Sequence, residues 1–254
     1  MSSTGHLILV SHFLGLQGEA LKTFEVVIQG GALLAVVGLY RGRVLQLLRG
    51  LIGKDPDGLR LCINLLLSFL PVAVTGLLMH DWIKAHLFTP WPVVGALAAG
   101  GVVMLLTDAW SGKKPPGTRS LDSLKPNEAA LIGLVQCLAL WPGASRAMVT
   151  IVAGLLCGLP AAAAAEYSFL LALPTLGAAV ALDGVSNGAE LWHAFDGLPI
   201  ALGVATASVV AALAMRGFVR YLGRHGLSLF GWYRLALAAL VGLTVFSAGK
   251  GGHF

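Results

Sequence analysis

An arginine stands in the middle of a long apolar stretch of this chain. Arg146 lies in the run Ala129–Leu159, whose other residues are apolar, small or uncharged. A permanent charge at membrane depth costs about 2.5–3.5 kcal/mol on insertion scales, so such an arginine normally faces a polar cavity or an anionic ligand. Pro142 and Gly143 precede it and predict a break that leaves free backbone N–H groups at the start of the next helical segment. A helix N-terminus beside an arginine is suited to binding an anion.

The composition of the 254-residue chain indicates a membrane protein. Hydrophobic residues make up 57% of it and charged residues 11%, and the mean hydropathy is +0.82. A soluble domain carries about 25% charged residues, so an ordinary soluble fold is excluded. The net charge of +5 comes mainly from basic residues in short segments between apolar runs, which is typical of cytoplasmic loops. We therefore expect the bilayer as a partner and no nucleic acid.

Apolar runs predict about six transmembrane helices. A hydrocarbon core of about 30 Å needs about 20 helical residues, and several runs approach that length. We expect an all-α polytopic membrane protein that forms a single integral membrane domain over residues 1–254. The runs are Phe24–Tyr40, Leu61–His80, Val93–Trp110, Ala161–Val185, Leu198–Met215 and Leu235–Ala248.

The interrupted run Glu128–Pro160 is predicted to be a re-entrant helical hairpin with its tip at Trp141-Pro142-Gly143. Segment 186–197 contains no Lys or Arg. Basic residues cluster instead in segments 41–60, 113–125 and 216–234. A single crossing by Glu128–Pro160 would place the basic-free segment inside and 216–234 outside, against the positive-inside rule. A hairpin that leaves and re-enters on the cytoplasmic side restores the rule, and its tip must be buried in protein or line a cavity.

The chain also repeats itself weakly. Ser3 precedes Glu25 by 22 residues, and Ser145 precedes Glu166 by 21, with each glutamate at the start of an apolar helix. Three crossings separate the two copies, so they would enter from opposite sides in an inverted-topology repeat. We expect residues 1–110 to form the first repeat and 128–254 the second. The first hairpin would then be truncated, because Met1–Leu16 forms only its second limb.

Four motifs follow one another along nearly the whole chain. They are Ser2-Ser3-Thr4-Gly5-His6-Leu7-Ile8, Phe24-Glu25-Val26-Val27-Ile28-Gln29, Pro142-Gly143-Ala144-Ser145-Arg146 with Thr150, and Glu166-Tyr167-Ser168-Phe169-Leu170-Leu171-Ala172-Leu173-Pro174-Thr175. Together they resemble the bacitracin-resistance family of undecaprenyl-diphosphate phosphatases, and four motifs in order are far more specific than one. The resemblance implies a multi-pass hydrolase of the bacterial inner (plasma) membrane. It would convert a polyprenyl diphosphate lipid, undecaprenyl diphosphate, into undecaprenyl phosphate and inorganic phosphate, which recycles the carrier for peptidoglycan synthesis and confers bacitracin resistance.

The chemistry of this reaction suggests roles for individual residues. Hydrolysis of a phosphoanhydride needs charge neutralisation on the non-bridging oxygens, an in-line nucleophile, and a proton donor or metal at the leaving phosphate. Arg146 can bind two phosphate oxygens through its planar fork. Ser3 could act as nucleophile with His6 as base, and a metal-activated water is the equal alternative. We therefore expect Ser3, His6 and Arg146 to be catalytic. The expected substrate-binding residues are Thr4, Glu25, Ser145, Thr150 and Glu166.

Several of these residues also have a structural explanation. The hydroxyls of Ser145 and Thr150 could bond back to the helix backbone. Glu25 and Glu166 each open an apolar helix and could simply favour the helix dipole as first-turn acids.

The chain departs from the family pattern at two places. The family has Ser-Arg-Ser-Gly-x-Thr where this sequence has Ser145-Arg146-Ala147-Met148-Val149-Thr150, so one hydroxyl and one glycine are replaced. The family also carries a Glu-x-x-x-Glu pair just before its Ser-Ser-Thr-Gly-His motif, and this sequence begins at that motif. We expect the true start to lie upstream; the alternative is a chain that has lost catalysis. A divalent cation, Mg²⁺ or Ca²⁺, is the expected cofactor, with its ligands in that segment.

Other functions are compatible with the same pattern. Inverted repeats around broken helices also occur in secondary transporters, so a lipid-phosphate flippase or an anion transporter that uses the same arginine is the alternative function. A catalytically inactive scaffold in cell-wall assembly is a third reading. Runs of small residues such as Gly95–Gly101 permit close helix contacts, and hence a homodimer.

Overall fold

The protein is built from helices. The computed structural model describes residues 19–87, 89–111, 119–194 and 197–250. All regular structure within these ranges is helical, which confirms the predicted all-α class. The longer helices are α1 Glu19–Leu39, α2 Arg41–Leu51, α3 Pro56–Leu78, α4 His80–Leu87, α5 Pro90–Ser111, α6 Pro126–Gln136, α7 Arg146–Leu156, α8 Ala161–Ala194, α9 Gly197–His225 and α10 Ser228–Lys250. Two short 3-10 turns occupy Leu121–Ser123 and Cys137–Leu140.

Four helices in the described ranges are long and apolar enough to cross a membrane. They are Pro56–Leu78, Trp91–Trp110, Ala161–Ser186 and Gly197–His225. A fifth crossing arises if Val27–Leu39 and Arg41–Leu51 are counted together, although the chain bends by 85° between them. The sixth predicted run, Leu235–Ala248, lies in α10, whose apolar part Ser228–Leu243 is shorter. The polytopic character is thus confirmed, whereas six crossings and the inverted repeat stay predictions.

Three segments expected to be loops are largely helical. The basic segment 41–60 contains all of α2 and the start of α3. Helix α8 continues to residue 194, so residues 186–194 extend a helix where the charge pattern predicted an external loop. The basic segment 216–234 is divided between the end of α9 and the start of α10. Asp108 caps the start of α10 by accepting hydrogen bonds from the backbone N–H and the hydroxyl of Ser228. Because α10 begins there, Arg234 lies inside a helix and not in a loop.

The run Glu128–Pro160 forms the predicted hairpin. Helices α6 and α7 have 11 residues each, about 16 Å at 1.5 Å per residue, roughly half of a 30 Å hydrocarbon core. They pack against each other, and α6 also packs on α3 while α7 packs on α8. Arg119 joins the two ends of the hairpin: its guanidinium donates to the Glu128 carboxylate at 3.0 and 2.9 Å and to the Cys157 carbonyl at 2.6 Å. These ends are the hairpin base, and residues 141–145 at the far end are the hairpin tip.

Buried hydrogen bonds fix helices α3, α6 and α8 relative to one another. The Tyr167 hydroxyl on α8 donates to the Asn64 carbonyl at 2.8 Å and lies 2.6 Å from Ser68 Oγ. The Gln136 side chain on α6 donates to the Ser68 carbonyl at 3.1 Å. All four residues are buried, where such bonds are strongest. These hydrogen bonds hold together the three helices that lie beside the hairpin tip.

Candidate functional site

The hairpin tip is a strained turn of the backbone. Gly143 has φ +94°, and Ser145, with φ +65°, is the only non-glycine residue with a positive φ in the described ranges. A Cβ on Gly143 would lie 2.8 Å from the Val93 carbonyl oxygen, so only glycine fits there. The indole N–H of Trp141 donates to the Pro92 carbonyl at 3.0 Å, which ties the tip to α5. Left-handed backbone at a non-glycine residue costs on the order of 1–3 kcal/mol and clusters at functional sites.

The turn ends at the N-terminus of helix α7. Ser145 is its N-cap: the hydroxyl accepts a hydrogen bond from the Met148 N–H at 3.5 Å. Arg146 is the first residue of the helix, as the Pro142-Gly143 break predicts. N–H groups in the first turn of a helix have no acceptor within it, and their dipoles place positive charge at this end. The positive end of α7 and a guanidinium group therefore coincide.

Arg146 borders a partly open cavity of about 250 Å³. Its Nη1 donates to the Ser168 carbonyl on α8 at 3.1 Å. Gln136 and Thr175 are the other polar residues that line the cavity within the described ranges. The apolar lining residues are Phe69, Val72, Ala73, Ala139, Leu140 and Leu176. No described lining residue is acidic, and none of the ion pairs between described residues includes Arg146.

Thr150 is bonded to the backbone of Arg146 and does not line the cavity. Its hydroxyl donates to the Arg146 carbonyl at 2.9 Å and lies 2.7 Å from Ser168 Oγ, and the residue is fully buried. The back-bonding alternative therefore describes Thr150 better than direct contact with a ligand. Sequence reasoning missed Ser168, which meets both Arg146 and Thr150. Ser168 lies in the Glu166–Thr175 motif, and this position was the sequence signal that could have identified it.

The structure does not bring Glu166 to the cavity. Its carboxylate accepts a hydrogen bond from Arg43 Nε at 2.7 Å, and Arg43 Nη1 donates to Asp122 at 2.7 Å. Glu166 forms one half of a partly buried ion pair that joins α8 to α2, and its role as a substrate ligand stays a prediction.

The remaining predicted residues lie outside the described structure. Ser3, Thr4 and His6 belong to the undescribed residues 1–18, and the prediction of a first hairpin falls on the same residues. Glu25 lies on α1, but its side chain is outside the description. Their catalytic and binding roles stay predictions.

A second arginine, which sequence reasoning missed, is hydrogen-bonded to the hairpin tip. Arg234 on α10 donates through Nη2 to the Gly143 carbonyl at 2.7 Å and to the Ala96 carbonyl at 3.0 Å, and through Nε to the Leu97 carbonyl at 3.4 Å. Only 1% of its surface is exposed. Sequence reasoning counted it as a cytoplasmic loop residue. The signal was the same as for Arg146: a charge followed at once by an apolar run.

Residues 1–240 match the family model described as "Bacitracin resistance protein BacA". The chain belongs to this family. Its curated relatives include "Undecaprenyl-diphosphatase" of Sorangium cellulosum, which is 51% identical over 243 residues covering 95% of this chain and 79% of the relative. "Undecaprenyl-diphosphatase" of Methylococcus capsulatus is 44% identical over 95% of this chain and 87% of its own length. "Undecaprenyl-diphosphatase 2" of Rhodospirillum rubrum is 43% identical over 97% and 89%.

Family membership confirms the resemblance inferred from the four motifs. The match includes both arginines at the hairpin tip and the helices that surround them. The hairpin tip and both arginines therefore lie within the matched range.

Proposed function

We propose that the protein is an undecaprenyl-diphosphate phosphatase, which releases inorganic phosphate and leaves undecaprenyl phosphate. The names of its relatives support this assignment. The observation that carries it is the position of Arg146: a cation without a described acidic partner, at a helix N-terminus, bordering a cavity without described acidic lining. A diphosphate supplies the negative charge that this place lacks.

The described residues supply the electrostatic stabilisation that the proposed reaction needs. Arg146 and the first N–H groups of α7 neutralise the non-bridging oxygens of the diphosphate, whose negative charge must be stabilised as the terminal phosphoryl group is transferred. A nucleophilic oxygen forms a bond to the terminal phosphorus while the bond to the bridging oxygen breaks, and the lipid monophosphate leaves. If the nucleophile is an activated water, this step yields inorganic phosphate directly. If it is Ser3, His6 accepts the hydroxyl proton, and water then hydrolyses the resulting phosphoserine to release phosphate and restore Ser3.

The cavity walls suit the lipid part of such a substrate. Phe69, Val72 and Leu176 present apolar surface beside Arg146, so the phosphates meet the cation while the first carbons of the chain meet hydrocarbon. Burial of each CH₂ group contributes about 0.8 kcal/mol regardless of isoprenoid length, so the walls select an apolar chain and not its exact length.

A divalent cation is a further proposal, which rests on the resemblance alone. The described residues do not fit it by themselves: no group of three His, Cys, Asp or Glu side chains among them could hold a metal ion. We therefore assign no step of the reaction to the cation.

The physiological role follows from the proposed reaction. Recycling of the lipid carrier would supply peptidoglycan synthesis and give bacitracin resistance, in the inner membrane of a bacterium. A homodimer also stays a prediction. No observation favours the flippase or anion-transporter alternative over hydrolysis.

Phosphate release from undecaprenyl diphosphate by the purified protein in detergent tests the proposal. We expect turnover of the diphosphate and none of undecaprenyl phosphate, which has no phosphoanhydride bond. The Sorangium relative, prepared in the same way, is the matched control. Activity of the relative without activity of this chain would overturn the proposal.

A further inference from the structure

Arg234 is a buried cation that bonds to backbone alone. Its hydrogen bonds reach the carbonyls of Ala96 and Leu97 on α5 and of Gly143 in the hairpin tip. Its Nη1 is buried without a partner, and no ion pair between described residues includes it. Burial of a charge is costly, so a guanidinium kept in this position indicates a specific task.

The surrounding helices leave room for this side chain. A Cβ on Gly100 would collide with Arg234 Nη2 and would lie 2.8 Å from Met148 Cε. Helices α5 and α10 also approach closely at Gly101 and Gly231, where a Cβ on either glycine would lie 3.0 Å from the other's carbonyl oxygen. The guanidinium therefore packs directly against Gly100, and a side chain at that position would displace the ends of Arg234 and Met148.

The bond to Gly143 connects this slot to the candidate site. Gly143 immediately precedes Ala144 and Ser145, and both Gly143 and Ser145 have the positive φ that makes the tip a strained turn. A strained turn persists only when its surroundings fix it. Arg146 begins α7 directly after Ser145, so movement of the Gly143 carbonyl moves the guanidinium that faces the cavity.

We propose that Arg234 is a positioning residue for the phosphatase reaction, which holds the hairpin tip so that Arg146 and the N-terminus of α7 meet the diphosphate. This inference rests on the proposed function. It assigns Arg234 no contact with the substrate. Its effect is exerted through the Gly143 carbonyl, and the glycine at position 100 leaves room for its side chain.

Five variants distinguish the effect of where the Arg234 guanidinium lies from the effect of its charge. Arg234→Met removes the bonds and the charge, Arg234→Lys keeps the charge and one donor group, and Gly100→Ala keeps the charge but displaces the side chain. Gly95→Ala is the matched control on the same helix, because nothing lies within 4 Å of a Cβ at Gly95. Arg224→Met removes an exposed arginine of α9.

Measurement of kcat and KM with undecaprenyl diphosphate gives the first readout. We expect kcat of Arg234→Met and Gly100→Ala to fall by about 100-fold, the loss that a misplacement of about 1 Å in a catalytic group can cause, with KM nearly unchanged. Arg234→Lys should recover part of this loss, and both controls should match the wild type. Wild-type kcat in Gly100→Ala, or a loss confined to KM, would overturn the inference.

A second readout does not depend on activity. Ala144→Cys in a protein without Cys62, Cys137 and Cys157 places a nearly buried thiol in the tip. We expect maleimide to label it several times faster after Arg234→Met or Gly100→Ala, and not after Gly95→Ala. Equal rates would contradict the inference. An inactive wild type with these changes in labelling would instead contradict only the proposed function.

Discussion

At the base of the hairpin the guanidinium of Arg119 meets a carboxylate, whereas at its tip those of Arg146 and Arg234 meet backbone carbonyls. Arg119 donates to both oxygens of Glu128 and to the Cys157 carbonyl, and its charge is compensated. Arg146 has a single described acceptor, the Ser168 carbonyl. At the base, arginine closes the hairpin through a carboxylate, whereas at the tip neither arginine meets a carboxylate among the described residues, which supports our proposal that an anion binds there.

The comparison also extends to the backbone. Gly143 at the tip and Gly158 at the base both have positive φ, at +94° and +83°. A Cβ on Gly143 would press on the Val93 carbonyl, whereas the nearest atom to one on Gly158 is the flexible end of Arg119 at 3.6 Å. The backbone of the tip is thus confined by the backbone of α5, whereas at the base a flexible side chain can move aside. The rigid backbone and the arginines without a described acidic partner occur at the same end of the hairpin.

The largest expected effect separates the two arginines. Arg146→Ala should lower kcat/KM by about 100- to 1000-fold with little change in stability, because one donor to the developing charge is lost. Arg119→Ala should instead lower the free energy of unfolding by about 1–2 kcal/mol and leave turnover near that of the wild type, because a partly exposed charged hydrogen bond is lost. Phosphate release and thermal unfolding in detergent check both. Loss of turnover in Arg119→Ala at temperatures where it is folded would break the comparison.

A smaller effect is expected from the two glycines. Gly143→Ala should reduce turnover by roughly tenfold, since the tip must shift away from Val93, and a small displacement of catalytic groups suffices for such a loss. Gly158→Ala should cost about 1 kcal/mol of stability, from the left-handed backbone alone, and leave turnover unchanged. Kinetics and melting curves of the two variants, side by side, test this. Equal kinetic effects would remove the distinction between tip and base.

The smallest effect is the pH dependence of the base. The hydrogen bond from Arg119, followed by that from the Lys125 N–H, holds the pKa of the Glu128 carboxyl below its usual range. A group with a lowered folded-state pKa stabilises the protein fully above its unfolded pKa of about 4.3, and that contribution is lost as the pH falls through the folded value. Wild type should therefore lose thermal stability below about pH 4.3 more steeply than Glu128→Gln. Asp57→Asn, an exposed carboxylate of α3, is the control. Parallel curves for wild type and Glu128→Gln would contradict the role of this pair.

Much of the hairpin could be predicted from the sequence, because its signals are local or compositional. Pro142 and Gly143 interrupt a helix, and the charge bias between the apolar runs favours a hairpin over a single crossing, whose orientation in the membrane stays a prediction. Arg146 at the start of α7 follows from the same break. Family membership, inferred from four motifs, is confirmed as well.

The remaining features depend on tertiary contacts that no local pattern contains. Arg234 looks like a loop charge until α10 is seen to begin at Ser228, and its partner Gly143 is 91 residues away. The ion pair of Glu166 with Arg43 likewise joins residues that are 123 positions apart in the chain. Residues 186–194 have no break before Ala194, so the helix continues where low positive charge alone predicts a loop.

The most direct test of the central claim compares Arg146→Lys with Arg119→Lys. Lysine keeps the charge at both places but lacks the planar fork that binds two phosphate oxygens. If the tip binds the diphosphate through that fork, Arg146→Lys should lose most of its kcat for undecaprenyl diphosphate, whereas Arg119→Lys should retain it. Near-normal turnover by purified Arg146→Lys would contradict the account.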